Sequence, residues 1–117
     1  MRIIYVSGPY RAETLEGIRA NIDYAGAVAL RLWQMGYVCI CPHKNTGWYP
    51  ETDGDWIAGD LEIIKRLLLG VDSVVMLPGW EKSEGATTEK EYAENRGLKI
   101  WYWPKDKEKL KTNVSTL

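Results

Sequence analysis

Apolar residues fall in four short continuous runs along this chain: Ile3-Ile4-Tyr5-Val6, Tyr37-Val38-Cys39-Ile40-Cys41, Val74-Val75-Met76-Leu77 and Ile100-Trp101-Tyr102-Trp103. Ser7-Gly8-Pro9 stops the first run, and Pro42, Pro78 and Pro104 stop the others. Proline brings no N–H to a sheet ladder, so each run reads as a buried strand with a defined end. Between the runs the apolar positions change to helical spacing. Leu15, Ile18, Ile22, Ala25, Ala29 and Leu32 form one stripe, closed by Gly36. Ile57, Leu61, Ile64, Leu67 and Leu68 form a second, which Asp53 or Asp55 can cap and Gly70 ends. A third helix follows Pro78 and runs to Gly97, with Ala86, Tyr92 and Ala93 on the inward face beside Glu89, while Glu91 and Glu94 face out. The aromatic-rich stretch from Pro42 to Pro50 shows no regular pattern.

Strands that are apolar throughout and alternate with helices predict an α/β protein with a parallel sheet covered on both faces. Such sheets bind ligands beyond the carboxyl ends of their strands. Here those ends are Ser7 to Arg11, Pro42 to Tyr49 and Pro78 to Gly85. The chain of 117 residues is read as one domain over 1–104, followed at 105–117 by a Lys-rich tail or short surface helix.

Charge and composition narrow the partners. A net charge of −1 without a Lys/Arg run argues against a nucleic-acid surface. Free nucleotides stay open, because one phosphate needs only a helix start and a side chain or two. No apolar run approaches membrane-spanning length, and Met1-Arg2 leads straight into a strand, so no membrane contact and a cytoplasmic location are expected. Cys39 and Cys41, read as turned to opposite sides of their strand, are expected to be unbridged thiols. A lone His43 and the absence of paired thiols at ligand spacing leave no metal expected.

Two acidic residues stand out. Glu89 lies one turn into a helix that opens just after a Gly-containing turn, where unpaired N–H groups and the helix dipole attract an anion. Asp60 falls inside the apolar stripe of the second helix, while Glu62, Lys65 and Arg66 face away. Each has a structural reading, since acids favour first helical turns and a buried Asp can bond backbone N–H groups. Together they fit a pair flanking one cleft, with an ionised Glu89 as nucleophile and Asp60, its pKa raised, as the proton donor to a leaving group. Tyr5 lies near the same edge, either to orient Glu89 or as plain core. In the loop Ser7-Gly8-Pro9-Tyr10-Arg11, Gly8 admits a close backbone approach, Tyr10 is suited to stack on a base and Arg11 to hold a phosphate; an ordinary turn is the alternative. Ser83 and Gly85 are suited to grip phosphate, although Ser83 also makes a helix cap. His43 reads as a substrate contact or as a surface histidine. Trp48, Tyr49, Trp56 and Trp80 would wall a base pocket or fill a contact between subunits.

Tyr5-Val6-Ser7-Gly8-Pro9-Tyr10-Arg11, then Asp60-Leu61, Asp72-Ser73-Val74-Val75-Met76 and Ser83-Glu84-Gly85-Ala86-Thr87-Thr88-Glu89, resemble in order and spacing the nucleoside 2-deoxyribosyltransferase superfamily. The layout is similar to that of the 2′-deoxynucleoside 5′-monophosphate N-glycosidases. The resemblance implies a flavodoxin-like three-layer sandwich with a mostly parallel sheet of four to five strands. It also implies homodimers or larger assemblies, no cofactor, and cleavage of the bond between a base and a deoxyribose. By position, Glu89 matches the family's nucleophile, Asp60 the Asp that assists at base and sugar, and Tyr5 the Tyr that orients the nucleophile. Ser83, Gly85 and Arg11 match holders of the 5′-phosphate. Thr87-Thr88 departs from the Gly-aromatic pair common before the nucleophile, and the Trp-rich loop has no counterpart among the glycosidases. The rival expectation is a nucleotide-sensing module that keeps the pocket without the chemistry.

Overall fold

The structure, a computed structural model, describes residues 1–50 and 54–114. The elements run β1 (Ile3–Ser7), α1 (Leu15–Met35), β2 (Val38–Ile40), α2 (Pro42–Asn45), α3 (Trp56–Lys65), β3 (Ser73–Met76), a 3-10 turn over Trp80–Lys82, α4 (Glu84–Asn95), β4 (Lys99–Tyr102) and α5 (Lys107–Thr112). The four strands pair in the order β2-β1-β3-β4, all parallel. β1 and β3 are the inner strands and the most completely buried, and Ser7 of β1 stands beside Met76, which stands beside Tyr102. No described helix is long and apolar enough to cross a membrane.

Period-two alternation sends the strand side chains into two cores. Ile4, Val6, Val75 and Trp101 meet Ala25, Val28, Ala29 and Leu32 of α1 and Leu110 of α5 on one side. Tyr5, Val74 and Met76 meet Ile64 and Leu67 of the α3 region and Ala86 and Ala93 of α4 on the other. The result is the three-layer α/β sandwich that the strand and helix pattern predicts.

Several expectations change. Leu15 is exposed and Ile18 half-buried, with Val28 taking their place in the core. A 21-residue helix is about 31 Å long, whereas the 5-residue central strand spans about 17 Å, so α1 overhangs the sheet at its start. Leu68 is exposed because α3 ends at Lys65 and the helical phase is lost before it; Ile57 is exposed in the first turn, and apolar contact with the sheet starts at Leu61. The Asp55 side chain caps α3 by accepting from the Ala58 N–H at 2.9 Å; its alternative, Asp53, lies outside the described residues. The stretch after Pro42 is partly regular, since Pro42–Asn45 forms a helical turn with proline at a position where no N–H is needed. Cys39 and Cys41 are free and share one face, against the α1-side core, because residues two apart on a strand point the same way. α5 is pinned at Leu110, which is fully buried and whose carbonyl accepts from the Tyr37 hydroxyl at 2.6 Å.

Candidate active site

The site grows from the alternation of β1. Tyr5 and Ser7 are two apart, so both project into the α3/α4 layer, and both are buried on the central strand. α4 starts where Ser83 caps it, its hydroxyl accepting from the Ala86 N–H at 3.2 Å. From that start, three- and four-residue spacing places Glu89 on the inward face with buried Ala86 and Ala93. There the Tyr5 hydroxyl donates to Glu89 Oε2 at 2.6 Å and the Ser7 hydroxyl donates to Oε1, also at 2.6 Å. These are short, charge-assisted bonds, and they take one position on each oxygen. Glu89 keeps part of its surface open, as does Asp60 on the neighbouring α3.

The electrostatics follow from this packing. Burial pushes Asp60 up to about 7, the charge of Glu89 adds to the rise, and the Tyr5 hydroxyl acts against it. Glu89 is also raised by burial, but the Ser7 and Tyr5 hydroxyls stabilise its ionised form and restrain the rise. Tyr5 is driven far above the usual phenol range by burial and then by Glu89 and Asp60, so its hydroxyl keeps its proton and acts as a donor. Two carboxyl groups on one face of the sheet thus have unequal surroundings, and a site of this kind can hold one acid protonated while the other stays charged.

In the sequence Ser7 has a place at the end of a strand and the start of the candidate ligand loop, but no role of its own. Its signal was the two-residue spacing from Tyr5. The other expected positions are arranged differently. A Cβ on Gly8 would lie 2.7 Å from Leu77 Cβ, so this glycine lets the exits of β1 and β3 pack together. Tyr10 accepts at its hydroxyl from the Trp48 N–H at 2.9 Å and meets the His43 ring edge-on, with centroids 6.0 Å apart. His43 is buried rather than on the surface; its Nε2 donates to the Pro9 carbonyl at 2.8 Å, and burial lowers its pKa, which leaves a neutral ring. Tyr10 and His43 therefore form a separate cluster that braces the loop after β1, to which Asn21 also donates at the Tyr10 carbonyl at 3.0 Å. Arg11 is exposed on that loop. At the start of α4, Gly85 has open space where a side chain would be, while the Thr87 and Thr88 hydroxyls turn back onto the Ser83 and Glu84 carbonyls.

Two hollows lie away from this centre. One of about 430 Å³ sits beyond the exits of β3 and β4, walled by Met76, Trp80, Tyr102 and Trp103; the other, of about 240 Å³, lies between α1 and α2 beside His43 and Trp48. Neither includes Glu89 or Asp60 in its lining. Of the four loop-associated aromatics, Trp80 packs against Tyr102 at 5.9 Å and Tyr49 against Trp56 at 5.6 Å, while Trp48 stands half exposed.

Fold and centre together define a parallel α/β protein in which two acidic helices and a hydroxyl-bearing central strand converge at one edge. Residues 2–102 match the family model described as a domain of unknown function, DUF4406, and the chain belongs to that family. No curated protein matches the chain.

Proposed function

We propose that this protein cleaves, or transfers across, the N-glycosidic bond of a nucleoside or nucleoside 5′-monophosphate, deoxynucleosides included, with Glu89 as nucleophile. The observation that carries this reading is the pairing of Glu89, held at both oxygens by Tyr5 and Ser7, with Asp60, whose carboxyl is raised to about 7 on the adjacent helix. The Glu89 carboxylate attacks the anomeric carbon while the carbon–nitrogen bond breaks and its electron pair leaves with the base. Asp60 gives its proton to that base. Water or a second base then bonds to the anomeric carbon as the ester bond to Glu89 breaks, its proton passing to the Asp60 carboxylate, which completes hydrolysis or transfer and restores both acids. Tyr5, kept protonated, steadies the carboxylate in both steps. The start of α4, with Ser83 and Gly85, and Arg11 on the exposed loop after β1 are the candidates to receive a 5′-phosphate, because first-turn N–H groups and a guanidinium both favour an anion. The resemblance to the deoxyribosyltransferases supports the same chemistry and adds an expectation of homodimers or larger assemblies.

The test is a mass-spectrometric screen of the protein against pooled nucleosides and nucleoside monophosphates. Free base should appear with the wild type and not with Glu89→Gln. The second reading, a nucleotide-sensing module, draws on the two hollows lying away from the acidic pair. Tight nucleotide binding with no base released by the wild type would decide for it.

A further inference from the structure

We propose that Ser7 is a positioning residue that fixes Glu89 as the proton-free member of the Glu89–Asp60 pair and holds its carboxylate in one orientation. This rests on the glycosidic reading above for its purpose, but its geometry stands by itself. Ser7 is nearly inaccessible at 1 %, and it ends the central strand. Its backbone is fixed, since the Ser7 carbonyl accepts from the Leu77 N–H at 2.8 Å and the next residue, Gly8, has no room for a side chain against Leu77. With the backbone held, the hydroxyl has one strong partner, Glu89 Oε1 at 2.6 Å, while Tyr5 takes Oε2 at the same distance.

The direction of these bonds assigns the proton. Tyr5 keeps its hydroxyl hydrogen at any ordinary pH, so it donates to Glu89. A serine hydroxyl can donate or accept, but when it donates alongside Tyr5 both Glu89 oxygens are acceptors. That arrangement stabilises the ionised carboxylate through two hydroxyls, whereas at Asp60 only the Tyr5 hydroxyl acts in that direction. Repulsion between two neighbouring carboxylates then leaves the remaining proton on Asp60. The titratable groups facing the pair are Tyr5 from β1 and the opposite acid from α3 or α4; the Cys41 thiol, on the α1 side of the sheet, acts on Tyr5 alone. With Ser7 removed, one Glu89 oxygen loses its donor, the two acids become more alike, and the pH interval in which one is charged and the other is not becomes narrower.

The experiment follows the carboxyl carbons of Glu89 and Asp60 by ¹³C NMR across pH in the wild type, Ser7→Ala and Ser7→Thr, alongside pH profiles of kcat/KM. In the wild type Glu89 should lose its proton at lower pH than Asp60. In Ser7→Ala the Glu89 midpoint should rise by about one pH unit, and kcat/KM on the acid side should fall about tenfold with a smaller change near neutrality. Ser7→Thr, which keeps a hydroxyl, should restore the wild-type midpoint. A wild type in which Asp60 ionises first overturns the proposal even if Ser7→Ala fails to fold, as does a Ser7→Ala protein whose Glu89 midpoint does not move. If no nucleotide is cleaved by the wild type, the proposed function fails, while the NMR titrations still decide the role of Ser7.

Discussion

Asp72 and Glu89 are acidic side chains set against opposite ends of the same strand, and their partners differ in kind. At the amino end of β1, Asp72 accepts from the backbone N–H of Ile3 through Oδ1 and from that of Leu68 through Oδ2, both at 2.8 Å. At the carboxyl end, Glu89 accepts from two side-chain hydroxyls and faces a second carboxyl on α3. Asp106 repeats the first pattern, accepting from the Tyr102 N–H at 2.8 Å. Backbone donors belong to the fold and clip segments together, so a carboxylate that satisfies them stabilises the structure. The hydroxyl donors tie α4 to β1 through side chains alone, and beside them the half-buried Glu89 and Asp60 carboxyls oppose each other. The acid at the amino end of β1, like Asp106 beyond the end of β4, serves stability. The carboxyl end keeps two acids at some cost to stability, which is where chemistry is expected.

Matched substitutions at the two ends test this contrast. Glu89→Gln should reduce base release by about a thousandfold or more, since a neutral amide cannot attack the anomeric carbon, and should leave the melting temperature near or above that of the wild type. Measuring free base by chromatography and melting by circular dichroism on the same samples checks both halves. Asp72→Asn should do the reverse. Its amide offers one acceptor oxygen to two N–H donors and turns an NH₂ toward the other, which costs about 2 kcal/mol and lowers Tm by roughly 10 °C with cleavage per folded molecule unchanged. A Glu89→Gln protein that still releases base, or an Asp72→Asn protein that melts normally, would erase the distinction between the ends.

Asp60→Asn should lower kcat by about a hundredfold, in the range of a lost general acid, and abolish the decline in rate as pH rises through about 7. The same variant gives a stability test with the opposite sign. Because the folded carboxyl is raised above its unfolded value, the folded protein binds more protons than the unfolded chain between about 4 and about 7, and stability falls as pH rises through that interval. Asp60→Asn should therefore melt above the wild type at pH 8, with the gap closing toward pH 4. Equal melting temperatures at pH 8 would show that Asp60 is not held against its own charge. Tyr37→Phe, away from both ends, should cost about 1 kcal/mol through the loss of the bond to the Leu110 carbonyl and leave activity unaltered.

Much of this arrangement was visible in the residues. Four apolar runs with proline or glycine stops located the four described strands, most sharply the inner β1 and β3, where burial on both faces leaves little room for polar residues. Glu89 was legible from its phase with Ala86 and Ala93, and Asp60 from its place among Leu61 and Ile64. The errors came where local period is a weak guide. Leu15 and Ile57 keep the apolar period but sit in first turns that project past the sheet, and Leu68 follows the end of the helix that set the phase. His43, isolated in a polar stretch, gave no sign that it would be buried against the Pro9 carbonyl.

The sequence by itself determined the layers, the parallel alternation and the two acids, since these depend on spacings of two or three to four residues that short-range sterics and hydrophobic burial enforce. Only the tertiary structure decided that Ser7 joins Tyr5 in holding the two oxygens of Glu89 and that Asp72 ties β1 to the turn before β3. Those outcomes join residues more than fifty positions apart, and hydrogen-bond geometry and desolvation exist only once the layers have packed.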